Sequence, residues 1–155
     1  MTSKIAMFDT NIYVNHNLGY EPLKALFPQV LQDGYIIGMS SIVAMELMWY
    51  SEVKTDSLVK AKRQLYIDRA HKILPVDKDV ALLAAEIQRE WQHATGKKPK
   101  HGDLLIAATA IVNKAVLYSN NDKDFKYIRD GLNFKLNYIN PIANQSDLQN
   151  YLNSL

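Results

Sequence analysis

Short apolar runs alternate along this 155-residue chain with longer segments in which apolar residues recur at helical spacing. The short runs predict buried strands at 5–8, 35–39, 73–76, 115–118 and 137–139. The longer segments predict helices at 22–32, 41–50, 57–67, 79–95, 103–114 and 123–129, with a last helix near the end of the sequence. Strands that alternate with helices indicate an α/β sandwich with a mostly parallel sheet.

Residues that favour turns and helix ends support these boundaries. The candidate N-caps are Ser40 or Ser41, Asp56, Asp77 or Asp79, and Ser146. Gly96 is predicted to end one helix, and Pro28 is expected to kink or divide another. Pro75 favours the edge of the sheet for its strand. No repeat or linker divides the sequence, so we expect a single domain over residues 1–155.

Composition narrows the possible chemistry. The chain has 48% hydrophobic and 22% charged residues and no cysteine, which excludes disulfides, thiolate metal sites and a cysteine nucleophile. Its four histidines are far apart in sequence, so we expect oxygen ligands and a hard cation for any metal site. The longest apolar run, 104–112, is too short to cross a membrane, and no signal-peptide core precedes Asp9, so a cytoplasmic location is expected.

Positive charge is unevenly distributed although the formal net charge is only +2. Lys97, Lys98, Lys100 and His101 form a basic loop immediately before Asp103, where the three lysines are candidates for binding the phosphates of a substrate. A second basic group between residues 60 and 72 is interpreted as a solvated helix face.

Four acidic residues lie either in apolar helices, where burying a carboxylate costs free energy, or directly after predicted strands, where ligands of parallel sheets bind. Asp9 directly follows the first strand, and Glu46 lies in a helix that is apolar on nearly every side. Asp103 begins the most apolar helix, and Asp124 follows the fourth strand. Each has a structural alternative: a helix or turn cap for Asp9, Asp103 and Asp124, and a salt bridge for Glu46.

Together the four acids indicate a catalytic site. The carboxyl ends of parallel strands meet at one edge of a sheet, where these carboxylates would repel one another unless divalent cations neutralised them. This arrangement suits metal-assisted hydrolysis of a phosphodiester with Mg²⁺ or Mn²⁺. The sequence contains no phosphate-binding glycine motif or serine-histidine-acid set that would compete for the role.

Four segments carry a family resemblance. They are Phe8-Asp9-Thr10-Asn11, the segment 40–46 that ends in Glu46, the segment 102–108 that begins Gly102-Asp103, and the segment 119–125 that contains Asp124. Their order and spacing resemble the motifs of PIN-domain ribonucleases, most closely the VapC-type toxins of toxin–antitoxin pairs. The resemblance covers nearly the whole chain.

The resemblance implies a three-layer sandwich with a central sheet of about five strands and an acidic pocket that binds Mg²⁺ or Mn²⁺. It gives metal-binding and catalytic roles to Asp9, Glu46, Asp103 and Asp124, with Thr10, Asn11, Ser119 and Asn121 as supporting pocket residues. It also implies an RNA substrate such as tRNA or rRNA, a cognate antitoxin and a homodimer. Two positions depart from the common pattern: Ser119 replaces a frequent threonine, and Asn121 replaces an aspartate found in some members.

Several alternatives remain open at this point. Phosphatases of the haloacid-dehalogenase type expect an aspartate where Asn11 stands, and receiver domains expect an adjacent acidic pair that is absent. Within the PIN family, a housekeeping RNA-processing nuclease and a non-catalytic binding module are both compatible with the motifs. The aromatic residues Trp49, Tyr50 and Tyr66 are interpreted as core or interface rather than base-stacking residues, with Met48 and Trp49 on a possible dimer or antitoxin surface. The role of Asp122 is unassigned.

Overall fold

The computed structural model describes residues 4–155. Five strands form one sheet: β1 (Lys4–Phe8), β2 (Tyr35–Ser40), β3 (Lys72–Leu74), β4 (Val116–Tyr118) and β5 (Asn137–Ile139). Their order is β3-β2-β1-β4-β5, and all four neighbouring pairs are parallel. The sheet therefore has β1 at its centre and β3 at one edge, as expected for this strand, although β3 ends at Leu74 and leaves out Pro75, which was predicted to lie within it.

Nine α-helices connect or follow these strands within the described residues. They are α1 (Thr10–Asn17), α2 (Glu21–Gln32), α3 (Ser41–Met48), α4 (Ser51–Thr55), α5 (Ser57–Arg69), α6 (Lys78–Thr95), α7 (His101–Val112), α8 (Asp122–Lys126) and α9 (Gln145–Asn153). A single π-helical turn, Tyr127–Gly131, follows α8. No helix within residues 4–155 is long and apolar enough to span a membrane.

Burial in the central strand shows that both faces of the sheet are covered. Ala6, Met7 and Phe8 are consecutive in β1 and are at most 1% exposed. Because successive strand residues point to opposite faces, helices must pack on each side. The expected three-layer α/β sandwich with a parallel sheet is confirmed.

The sheet also has a topological switch point. From β1 the chain proceeds to β2 and β3 on one side, whereas β4 lies on the other side of β1 and leads to β5. Connections that leave neighbouring strands in opposite directions open a crevice beyond their carboxyl ends, and ligands of parallel sheets bind there. In this chain the crevice lies beyond Phe8 and Tyr118, which are paired in register.

The first helix was missed by the sequence prediction. No helix was predicted between Asp9 and residue 22, but α1 begins directly after Asp9 and buries Thr10, Ile12, Tyr13 and Asn15. Polar residues occupy part of its buried face, so its sequence carries no regular apolar stripe. Their place beside the crevice explains this composition.

Three other helix predictions were wrong in detail. Pro28 does not divide α2, which continues from Glu21 to Gln32 with Leu23 and Val30 buried on either side of the proline. The helix expected through Tyr50 ends at Met48, and α4 begins separately at Ser51. The last helix is capped by the side chain of Asn144, which accepts from the backbone N–H of Ser146, so Ser146 is not the cap.

Candidate active site

Asp9 stands at the carboxyl end of the central strand and caps the helix that follows. Its backbone N–H donates to the carbonyl of Tyr118 at 2.9 Å, which extends the pairing of β1 with β4 by one residue. Its side-chain Oδ1 accepts from the backbone N–H of Thr10 at 2.8 Å. Asp9 is therefore a helix cap and a residue of the crevice at the same time, so the two interpretations do not exclude each other.

A second set of hydrogen bonds fixes the other carboxylate oxygen of Asp9. Ser119 donates from Oγ to Asp9 Oδ2 at 2.7 Å, and Asn11 donates from Nδ2 at 3.3 Å. Ser119 Oγ in turn accepts from the backbone N–H of Asn121 at 3.0 Å. The fully buried hydroxyl of Ser119 thus connects the ends of β1 and β4 and orients Asp9.

Glu46 reaches the same crevice from α3. Thr10 donates from Oγ1 to Glu46 Oε1 at 2.7 Å, so Thr10 contacts two of the acids, one through its backbone and one through its side chain. The ion pairs found between residues 4 and 155 do not include Glu46. The structural salt bridge considered for this residue is therefore absent from the described part of the chain.

Asp103 and Asp124 are brought together by Asn121. Asn121 Nδ2 lies 3.4 Å from Asp103 Oδ2 and 3.2 Å from Asp124 Oδ2. Its side-chain oxygen accepts from the backbone N–H of Asp124 at 3.3 Å, which makes Asn121 the cap of α8. The helix-cap alternatives for Asp103 and Asp124 are wrong, because α7 begins at His101 with Asp103 in its first turn and α8 is capped by Asn121.

These residues border a cleft of about 720 Å³. Three of the acids, Asp9, Glu46 and Asp103, line it, while Asp124 is held beside Asp103 without being part of the lining. The remaining lining residues are Thr10, Asn11, Val14, Asn15, Ile42, Met45, Trp49, Tyr50, Lys100, His101, Gly102, Leu105 and Asn121. The cleft thus combines an acidic floor with an apolar and aromatic wall.

The basic loop is only partly at the cleft. Lys100 and His101 line it and are exposed, whereas Lys97 and Lys98 are exposed but do not line it. A direct contact between a bound phosphate and a basic side chain is therefore possible at Lys100. RNA binding by Lys97, Lys98 and Lys100 stays a prediction.

The acids perturb one another. Burial raises the pKa of Asp9, the charges of Glu46 and Asp124 add to this, and hydrogen bonds from Ser119 and Thr10 oppose it. Burial, a side-chain hydrogen bond with Asp124 and the charges of Asp9, Asp124 and Glu46 raise the pKa of Asp103 to about 8. Among the described residues, no lysine or arginine forms an ion pair with these four acids. Their negative charges therefore repel one another without a compensating positive charge.

A hard divalent cation fits this donor set in charge and ligand type. Oxygen ligands, mainly carboxylates, are those that Mg²⁺ and Mn²⁺ prefer, and each such ion would relieve the repulsion among the acids. The carboxylates do not form a closed cage: within residues 4–155, no three histidine, aspartate or glutamate side chains are placed to hold one ion as they stand. The carboxylates instead accept hydrogen bonds from donors such as Ser119, Thr10 and Asn121.

Asp122 has a structural role that the sequence did not reveal. Its Oδ1 accepts from the hydroxyl of Tyr138 in β5 at 2.7 Å and from Nδ2 of Asn140 at 3.2 Å, and Lys126 lies 3.5 Å from Oδ2. Although burial works against the charged form, these partners hold the pKa of Asp122 below its usual value. Asp122 thus ties α8 to the last strand, and it is not among the residues that line the cleft.

Gly102 is a site residue that sequence reasoning quoted in a motif but did not single out. A Cβ atom built on it would lie 3.1 Å from Oε2 of Glu46, closer than such contacts normally are. With alanine at this position, the Glu46 carboxylate would have to shift by a few tenths of an ångström. A glycine in a helix gives no sign of such a contact until its neighbours in space are known.

If the cleft is the metal-dependent catalytic site that the four motifs predict, Gly102→Ala should lower turnover about 10-fold, since displacing a carboxylate in or around a metal site typically costs 10–100-fold. The free energy of unfolding should fall little, because alanine favours the helical backbone by about 1 kcal/mol relative to glycine. Steady-state kinetics and urea unfolding check both values. Unchanged turnover would show that Glu46 is free to move or has no part in the reaction.

Comparison with known proteins agrees with this architecture. A family model described as PIN domain matches residues 6–131. One similar structure is VapBC2 from Rickettsia felis, solved in complex with a DNA fragment from the promoter of its genes. A chain of that structure is 27% identical to this one with a TM-score of 0.72, and the match covers 88% of this chain and 98% of that one. No curated protein matches the chain in sequence.

Two further solved structures show the same fold at lower identity. A chain of DNA-bound VapBC from Salmonella typhimurium is 23% identical with a TM-score of 0.71, covering 91% of this chain and 100% of that one. A chain of VapBC-1 from nontypeable Haemophilus influenzae is 23% identical with a TM-score of 0.70, covering 88% and 98%. The resemblance to VapC-type PIN domains drawn from the four motifs is thus confirmed. The family match spans most of the chain and includes the switch-point crevice, and the chain therefore belongs to the PIN-domain family.

Proposed function

We propose that this chain is a metal-dependent endoribonuclease and the toxin of a type II toxin–antitoxin pair. The observation that carries the proposal is the acidic floor of the switch-point cleft, where Asp9, Glu46 and Asp103 meet with Asp124 beside them. A scaffold has no need to gather repelling carboxylates, whereas a nuclease that uses divalent cations does. Residues 1–155 are proposed to form one nuclease domain.

In this proposal Asp9, Glu46, Asp103 and Asp124 hold Mg²⁺ or Mn²⁺. When bound, such a cation would neutralise the carboxylates and acidify a water molecule for attack on phosphorus. Ser119, Asn11 and Thr10 orient Asp9, Thr10 also orients Glu46, and Asn121 positions Asp103 and Asp124. Such supporting hydrogen bonds fix ligand geometry before substrate arrives.

The proposed reaction is hydrolysis of an RNA phosphodiester. The oxygen of water adds to phosphorus, one phosphorus–oxygen ester bond breaks, and the departing oxygen takes a proton to become a hydroxyl group. Lys100 and His101, at the rim of the cleft, are placed to hold the negatively charged backbone. Lys97 and Lys98 would contribute longer-range attraction that weakens with salt.

The proposed partners follow from the family. Complexes named VapBC are among the similar structures, and we propose that a cognate antitoxin inhibits this chain by blocking the cleft. A tRNA or ribosomal RNA is the proposed substrate, a homodimer the proposed assembly, and the cytoplasm the proposed location. The DNA in the neighbouring structures is bound to those complexes and is not proposed as a substrate here.

Incubation of total cellular RNA with the purified wild-type chain tests the proposal. Parallel reactions contain Mg²⁺, Mn²⁺ or excess EDTA, and the EDTA reaction is then supplied with excess Mg²⁺. We expect discrete fragments with either metal, none in EDTA, and recovery after metal is restored. Undiminished cleavage in EDTA would reject the metal-dependent mechanism.

A further inference from the structure

Two exposed aromatic side chains stand next to the acidic floor. Trp49 is 58% exposed and Tyr50 43% exposed, and both line the same cleft as Asp9, Glu46 and Asp103. Of the two placements expected for these residues, core or interface, the exposure of Trp49 and Tyr50 excludes the core. Large exposed aromatic surface beside a polar site is unusual enough to indicate a ligand or a partner.

The local backbone places the aromatic pair close to Glu46. Trp49 and Tyr50 lie three and four residues after Glu46, at the end of α3, where Trp49 retains helical backbone angles. Residues three apart share a helix face, which applies to Glu46 and Trp49, whereas Tyr50 has an extended backbone and reaches the cleft from the start of the next segment. A group seated against Trp49 is therefore adjacent to a reacting centre at the carboxylates.

The two rings are not equivalent. Their centroids are 6.2 Å apart and their planes nearly perpendicular, at 84°. The guanidinium of Arg63 lies 4.9 Å from the centre of the Tyr50 ring and donates to the carbonyl of Leu47 at 2.9 Å. Arg63 thus covers one face of the Tyr50 ring and links it to the end of α3. Trp49 is therefore the more accessible of the two rings.

We propose that Trp49 stacks on an unpaired nucleobase of the RNA, next to the phosphate that is cleaved, with Tyr50 and Arg63 holding it in place. The proposal rests on the ribonuclease function above and narrows its substrate to single-stranded or unstacked nucleotides. A base in a duplex has both faces covered by its neighbours, whereas an unpaired base can stack on an aromatic side chain. A cleft of about 720 Å³ has room for a nucleotide.

The charges around the cleft favour a nucleotide over a second copy of this chain as the occupant of the catalytically active protein. Lys100 and His101 line the cleft together with the aromatic wall, so phosphate and base have separate contacts. A second copy of the chain seated on Trp49, Tyr50 and Met45 would cover the acidic floor, whose charges are costly to bury. A nucleotide with a cation supplies the positive charge that the floor lacks.

Cleavage kinetics on an RNA fragment identified from the cellular digest give the first test. We expect Trp49→Ala to raise KM about 10-fold with little change in kcat, since base–aromatic stacking by alanine substitution has about this effect. Trp49→Phe, which keeps an aromatic face, should recover most of the affinity. Leu82→Ala is the matched control, because Leu82 is 60% exposed and lies outside the cleft lining.

Tryptophan fluorescence gives a second test that does not need cleavage. The chain has two tryptophans, and Trp91 is only 8% exposed, so quenching by an added strand reports on Trp49. The probe is a mixed ten-nucleotide RNA, added to wild type and to Trp49→Phe in EDTA, either single-stranded or annealed to its complement. We expect quenching by the single strand in wild type only, and much less by the duplex.

The outcomes separate this inference from the function it rests on. Quenching without any RNA cleavage would support stacking and count against the nuclease. Cleavage with an unchanged KM in Trp49→Ala, or equal quenching by duplex and single strand, would overturn stacking and leave the nuclease standing. A loss of dimer in Trp49→Ala with unchanged KM would also overturn it, and would assign this surface to self-association.

Discussion

Asp103→Asn is expected to make the metal-free protein more stable while it abolishes RNA cleavage. The substitution removes one of the repelling charges at the cleft and keeps a side chain of the same shape beside Asn121 and Asp124. The gain in the free energy of unfolding at pH 8 should be on the order of 1 kcal/mol, since Asp103 is only partly buried and solvent screens the repulsion. Urea unfolding in EDTA measures this change.

The same substitution should flatten the pH dependence of stability. The pKa of Asp103 is about 8 in the folded protein, whereas an unfolded aspartate titrates near 4. The folded state therefore binds this proton more tightly, and the associated stability is fully present below about pH 4 and is lost as pH rises through about 8. Between these values the metal-free wild type should lose stability more steeply than Asp103→Asn.

Metal binding provides the control for this prediction. Mn²⁺ should raise the melting temperature of wild type, because a ligand that binds only the folded state stabilises it. It should have much less effect on Asp103→Asn. A variant that is less stable than wild type in EDTA, or that keeps the full response to Mn²⁺, would contradict the assignment of Asp103 to the cation site.

Ser119→Ala is expected to reduce cleavage 10- to 100-fold, an effect typical of losing a hydrogen bond that orients a metal ligand. The hydroxyl of Ser119 donates to Asp9 at 2.7 Å and is fully buried, so its removal leaves the Asp9 carboxylate short of a donor. The free energy of unfolding should fall by about 1–3 kcal/mol for the same reason. Single-turnover kinetics and urea unfolding measure the two effects.

Ser119→Thr is the matched control, since it keeps the hydroxyl. It should retain most of the activity lost in Ser119→Ala, and its affinity for Mn²⁺ should remain near that of wild type. Equal activity of Ser119→Ala and wild type would mean that Thr10 and Asn11 alone suffice to orient Asp9.

The strands and the position of Asp9 and Asp124 after them could be predicted from sequence, because each strand is a short apolar run ended by a polar residue. Parallel pairing then brings the ends of β1 and β4 together without any further information. Glu46 was conspicuous for a related reason, since a carboxylate in an apolar helix needs a partner.

Other features of the fold and the site depend on contacts between distant residues, which the spacing of apolar residues along the sequence does not reveal. The helix α1 was missed because its buried face includes Thr10 and Asn15, which line the cleft in place of packing in the core. The contact of Gly102 with Glu46 and the bond from Tyr138 to Asp122 join residues far apart in sequence. The setting of Trp49 depends on where α3 ends, and the sequence allowed that helix to continue through Tyr50.

The most direct test of the account compares wild type with Asp9→Asn on total cellular RNA. Both proteins are purified identically and assayed with Mg²⁺, and the ends of the fragments are mapped. We predict discrete cleavage sites for wild type and none for Asp9→Asn, whose cleft keeps its shape but has lost the central carboxylate. Equal cleavage by the two proteins would contradict the central claim that the acidic cleft built around Asp9 is the catalytic site.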